Sequence, residues 1–278
     1  MKTILIPMVN YGGMRSALET ALLLARRFDS YMEGYALRSW IDPLAIAAGS
    51  IPPSKNTCDS IEDVTQAQTI FNSFMHENHV PRSSKTALQS LSYGWLNEVP
   101  AGDSFIGSYG RVFDTIIMNK LDSNLTGLYA RAIESALIQS GRPLILSPAS
   151  RPPQIGSNAL IVWAGSAEQA RAVAFAMPLL RQANQVTVLT IQGEAVALSP
   201  SAERLVQYLK CNGVGVDLQN VRPDGRNIGR VILTKAESLG CDLLINGVHR
   251  QNLLQRLIPG DATRYILTNA TIPVLLSN

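Results

Sequence analysis

The sequence predicts an α/β protein built as two tandem doubly wound open parallel five-stranded sheets. Three observations predict it. Apolar segments recur in the two halves at nearly constant separation. Each half alternates short apolar runs with stretches of helical period. The fourth run of the second half is apolar on consecutive residues, as a parallel strand covered on both faces must be.

The repeats come first, because they divide the chain. Arg142–Ser147 recurs as Ile272–Ser277, offset 130, and Asp114–Asn119 recurs as Asp242–Gly247, offset 128. Thr3–Pro7 recurs as Ala159–Trp163, offset 156, so the first half carries about 28 extra residues ahead of Asp114. The place for them is an insertion at about 40–58, from Trp40 to Cys58, with Pro43, Pro52, Pro53 and the apolar Ile41, Leu44, Ile46 and Ile51, which would serve as a lid or interface. Prolines at Arg151-Pro152-Pro153 mark a linker, and the expected domains are 1–149 and 154–278.

In the second half, Ala159–Ala164 reads as a buried strand. Glu168–Gln182 follows, with Ala170, Val173, Ala174, Met177 and Leu180 at helical spacing. Val186–Ile191 is a strand. Pro200–Cys211 is a helix, capped by Ser199 with Pro200 in its first turn. Val214–Val221 is a strand, Asn227–Leu239 a helix ended by Gly240, and Asp242–Gly247 a strand. Asp261–Asn269 and Ile272–Ser277 close the pattern as helix and strand.

Composition narrows the class. The chain has 278 residues, 46% hydrophobic and 16% charged, enough apolar material for folded cores. No apolar run reaches the ~20 residues of a membrane span, and the start of the chain reads as a strand rather than a secretory signal. Neither a membrane nor nucleic acid is expected as a partner, the net charge being only +3. Cys58, Cys211 and Cys241 form no C-x-x-C pair and read as reduced, small buried hydrophobes of a cytoplasmic protein. Residues 151–278 are mildly basic, with 12 basic and 8 acidic side chains against 12 and 13 in residues 1–150.

The closing pattern of the second half is a strand, G-x-H, a loop, a glycine, a helix, then x-Pro-Val-Leu-Leu. It is carried by Asp242–His249, Gly260 and Ile272–Leu276, with Gly165-Ser166 after the first strand. In this the chain resembles the universal stress protein family, over both halves. The resemblance implies an adenine nucleotide alpha hydrolase-like fold and a ligand edge at the C-terminal ends of the strands. Its ATP-binding members carry G-x-x-G, nine residues, then G-(S/T), and an acidic residue ending the first strand. Bare glycine backbone and a helix N-terminus suit phosphates.

On that pattern Gly247 and Gly260 are retained, as the first and third glycines. Arg250 stands at the second glycine, Asp261 at the Ser/Thr and Ala164 at the acidic position. Asp261 is a good helix cap but repels an anion. In the first half Asn119 and Ala130 replace glycines, and Val9 or Asn10 takes the acidic position. No cofactor is therefore expected, ATP being the one the resemblance would supply. The candidate ligand-binding residues are Gly165, Ser166, Arg222, Gly247, His249, Arg250, Gly260 and Asp261. Arg222, with Arg226, Arg230, Arg250 and Arg264, would make the edge electropositive, suited to an anionic small molecule.

No catalytic residue is expected: no G-x-S-x-G serine, Walker sequence or metal cluster is visible. Gly12-Gly13 reads as a turn into the first helix. His76 and His79, spaced i, i+3, read as a solvated face. The family pairs its fifth strands across a dimer, so Leu144–Ser147 and Val274–Ser277 are expected to pair as a pseudo-dimer within one chain; the other partners allowed for are an unidentified protein and a second copy. The expectation is a non-enzymatic stress-response protein acting by small-ligand sensing or protein contacts. The alternative is an ATP-binding switch or slow ATPase using the second domain.

Overall fold

The computed structural model describes residues 1–9, 13–38, 60–83, 90–97, 99–100, 102, 104–120, 128–193, 200–248 and 262–278. The insertion at 40–58, Cys58, Asn10 and Gly12 lie outside the described residues. The chain divides into two compact units, Met1–Arg142 and Pro143–Asn278. Both alternate strands with helices, the α/β class that the periodicities predict.

The first unit contains β1 (Thr3–Met8), α1 (Met14–Phe28), β2 (Tyr31–Ala36), α2 (Ile61–Glu77), β3 (Ser92–Leu96), α3 (Ser104–Tyr109), β4 (Thr115–Asn119) and α4 (Leu128–Gln139). Strands β2 and β3 pair parallel, as do β1 and β2 and β1 and β4. The first helix buries Met14, Ala17, Leu18, Ala21, Leu22 and Ala25, a stripe at the spacing of one helical face. It ends at Asp29, which turns left-handed at φ 49°. The second helix starts on a reciprocal cap: Ser60 Oγ accepts from Asp63 N at 3.0 Å and Asp63 Oδ2 accepts from Ser60 N at 3.1 Å. Its Phe71 lies against Gly34 of β2, where a Cβ would come within 2.8 Å of the ring. Glu33 accepts from the hydroxyls of Tyr31 and Tyr109, tying β2 to α3. Burial first, then these bonds to Glu33, push the pKa of both phenols up and keep them protonated.

The second unit contains β5 (Leu144–Ser147), β6 (Asn158–Val162), α5 (Ala167–Leu180), β7 (Gln185–Ile191), α6 (Ala202–Cys211), β8 (Asp217–Val221), α7 (Ile228–Ser238), β9 (Leu243–Gly247), α8 (Ala262–Asn269) and β10 (Val274–Ser277). The strand order is β5-β10-β9-β6-β7-β8. All neighbours are parallel except the first pair, in which Val274, Leu275 and Leu276 face Leu146, Ile145 and Leu144 antiparallel. The two closing strands thus pair with each other, and Ile145 and Leu275, equivalent in the repeat, meet face to face.

Three local expectations are corrected. The sixth helix starts at Ala202 with Ser201 at its N-cap, not at Pro200 with Ser199. Pro200 stays outside, its carbonyl accepting from the Trp163 indole at 3.1 Å. Strand β8 starts at Asp217 rather than Val214. It is largely exposed and pairs only with β7 among the described residues, whereas β9 is buried along four of its five residues. The register of the first strands also differs by one. Ile4 pairs with Thr115 and Ala159 with Leu243, so Ile4 and Ala159 are equivalent, at offset 155. A strand buried on both faces has no in–out alternation to betray a one-residue slip, and the ladder alone decides.

Candidate functional site

The carboxyl edge of the second unit is where an open α/β sheet binds its ligands. Strand β6 runs out through Trp163 and Ala164 to Gly165, which takes φ +88°. Ser166 then caps α5: its Oγ accepts from Gln169 N at 3.2 Å. The Gln169 side chain returns the bond. Its Oε1 accepts from Ala164 N at 2.7 Å and from Ser166 N at 3.3 Å. Gly165 and Ser166 are therefore in the turn the sequence assigns to the edge, and the amides of Ala164 and Ser166 carry a side-chain oxygen of the chain itself. Gln169 was not among the expected site residues, although Ser166-x-x-Gln169 is a readable capping-box spacing.

Gly247, at the end of β9, adjoins the same turn. A Cβ there would lie 2.3 Å from Gln169 N and 2.6 Å from Glu168 C. Main chain cannot yield as a flexible side chain does, so glycine lets β9 pack directly on the first turn of α5. The neighbourhood of Gly247 is protein backbone, which accounts for the residue without any ligand.

The arginines are spread. Arg222 follows β8, is exposed and makes no ion pair among the described residues. Arg226 is exposed and lies 3.6 Å from Asp224, a solvated pair of small energetic weight. Arg230 lines a cavity of about 610 Å³ between α7, α8 and residues 150–154, together with Glu237, Cys241 and Tyr265. None of the described candidate residues, Gly165, Ser166, Arg222 or Gly247, lines that cavity. His249, Arg250, Gly260 and Asp261 lie outside the described residues. With the offset of 155, Ala164 corresponds to Val9, which is 2% exposed; neither can take the place of an acid.

Asn119, the counterpart of Gly247 in the first unit, is buried. Its N–H donates to the Tyr129 hydroxyl at 2.9 Å, its Nδ2 meets Met14 Sδ at 3.4 Å, and its Oδ1 has no partner among the described residues. Burial raises the Tyr129 phenol, so it stays protonated. The strand end is thus closed by a tyrosine.

Elsewhere, His76 and His79 are both exposed, and no group of three or more His, Cys, Asp or Glu gathers among the described residues. Cys241 is buried as expected, but Cys211 is exposed, because it ends α6 on that helix's outer side. No described helix is long and apolar enough to cross a membrane.

The comparisons with known proteins agree with this architecture. The model of the universal stress protein family matches residues 157–278. No curated protein matches the chain. Among solved structures, the chain is similar to a universal stress protein from Archaeoglobus fulgidus DSM 4304, with a TM-score of 0.67 and 13% identity, covering 99% of this chain and 98% of that one. It is also similar to a functionally unknown protein from Pseudomonas aeruginosa PAO1, with a TM-score of 0.56 and 14% identity, covering 100% and 92%. The family model thus covers the second half of the chain, and the chain as a whole has the fold of a universal stress protein.

Proposed function

We propose that the chain is a non-enzymatic stress-response protein of the cytoplasm, acting by sensing a small ligand or by protein contacts, with its triphosphate site largely lost. The match of the family model to residues 157–278 supports the stress-response role. The observation that carries the rest is at Gly247. The retained glycine of the phosphate motif is backed by the main chain of Glu168 and Gln169 rather than by open space. Ala164, two residues beyond the end of β6, offers no carboxylate for a nucleoside. A small anion held near Arg222, a protein partner, and a second copy of the chain are the partners this reading allows.

The test is thermal melting of the full chain with ATP and magnesium. A ligand present at one hundred times its Kd stabilises the folded state by about 2.7 kcal/mol. No shift is expected at millimolar ATP. A saturable rise in Tm, or nucleotide retained through purification and seen by native mass spectrometry, would overturn the proposal in favour of an ATP-binding switch or slow ATPase.

A further inference from the structure

Helices α7 and α8 meet at Gly229, where a Cβ would lie 2.5 Å from the Ala262 carbonyl oxygen and 2.8 Å from Tyr265 Cβ. Beyond that contact a cavity of about 610 Å³ lies between them, a volume suited to a small molecule. It sits at the amino ends of two strands. Cys241 and Asp242 precede β9, Ile272 and Pro273 precede β10, and the segment after β5 borders the cavity through Pro152. This is the opposite end of the sheet from the carboxyl edge described above.

On α7 the lining residues Arg230, Leu233, Thr234 and Glu237 recur at i, i+3, i+4 and i+7, so they share one helical face. Arg230 and Glu237 are therefore two turns, about 10 Å, apart along the axis. Leu233, Ala236 and Ile272 give the cavity apolar surface. Arg230 and Glu237 are exposed, and neither side chain has an ion pair or hydrogen bond among the described residues. Neither charge serves its helix. Arg230 is in the first turn of α7, at the positive end of the helix dipole, and Glu237 is in the last turn, at the negative end. The other charged groups of the lining are engaged. Asp242 accepts from the amides of Ser157 and Asn158 with its two carboxylate oxygens, and Arg151 has a partner within the chain. Among the described lining residues, one cation and one anion are thus left over on a single helix face.

We propose that this cavity binds a small zwitterion, its anionic group at Arg230, its cationic group at Glu237 and its apolar body along Leu233. Charge complementarity selects the class: a ligand with one charge leaves the second side chain of α7 unanswered, and a neutral one leaves both. The site goes beyond the proposed function, because it shares no residue with the carboxyl edge.

The experiment is an amide chemical-shift titration of the full chain at constant ionic strength, reading Thr234, Cys241 and Asn269. The probes are ω-aminooctanoate, whose extended chain spans about the distance from Arg230 to Glu237, and its singly charged relatives octanoate and octylammonium. The zwitterion is expected to shift these amides saturably and to bind about threefold or more tightly than either relative, the return of one solvent-accessible ion pair. In Arg230→Met it should bind no better than octylammonium, and in Glu237→Gln no better than octanoate. Both side chains are exposed, so both variants should fold, and an unchanged Tm checks that they do. Three probes of equal affinity would reduce the cavity to an apolar groove, and octanoate bound as tightly as the zwitterion would make it an anion site. Either result overturns the proposal, as does the absence of a saturable shift or an unchanged preference in both variants.

Discussion

Asp242 and Asn158 bond each other twice across the start of their strands: Asn158 N donates to Asp242 Oδ1 at 3.1 Å, and Asp242 N donates to the Asn158 carbonyl at 2.9 Å. Ser157 N takes the second carboxylate oxygen at 3.1 Å. The first unit repeats the device. Thr3 N donates to Asp114 Oδ2 at 3.1 Å, Lys2 N donates to the same oxygen, and Asp114 N donates to the Thr3 carbonyl at 3.0 Å. The aspartate that opens the fourth strand of each half thus fastens the first.

Replacing Asp242 with alanine strands two amides at the start of β6. The expected loss is about 1–3 kcal/mol of stability, the cost of unpaired polar groups, and Asp242→Asn should lose less. Urea denaturation at neutral pH, with an unchanged m-value, checks it.

Gly247→Ala should destabilise the chain with no ligand present. The added methyl meets backbone, not a movable side chain, and overpacking of this kind costs about 1–3 kcal/mol. A variant as stable as the unaltered chain would mean that β9 and α5 are not in such close contact.

Ser166→Ala removes the N-cap acceptor for Gln169 N. A loss of about 1 kcal/mol is expected. It should fall in the second unit, and hydrogen exchange should show it first in the opening turn of α5.

Leu275 is fully buried where β10 pairs with β5. Leu275→Ala should cost about 2–5 kcal/mol, as large-to-small changes in a close-packed core do. Denaturant unfolding measures it.

Cys241 and Cys211 should react at very different rates with a thiol reagent at pH 8. Burial first, and the Asp242 charge second, push the Cys241 thiol up to about 11, so little thiolate forms, whereas Cys211 is exposed. Peptide mapping after brief labelling should find Cys211 modified well before Cys241. The linkage has a definite sign. The folded state disfavours the Cys241 thiolate, so its contribution to stability is whole below the unfolded thiol's pKa and is lost as pH rises through about 11.

Much of this architecture is legible in the chain. The run Leu243–Ile245 is continuous because β9 is covered on both sides, and Asn227 and Gly240 bracket α7 through a side-chain cap and a left-handed turn at φ +62°. Ser166-x-x-Gln169 was equally readable, but a capping box announces a helix start and says nothing of which third amide its glutamine will reach. Pro200 misled because proline suits a first helical turn, while the indole of Trp163, distant in sequence, claims its carbonyl.

Apolar runs and helical spacing in the sequence by themselves determined the α/β class, the repeated halves and most element positions, since burial and backbone geometry impose those periods locally. The tertiary structure alone decided the strand register, the exposure of β8 and Cys211, and the surroundings of Gly247. Each depends on which distant backbone lies alongside, and a glycine spells the same whether a phosphate or a helix occupies the space it leaves.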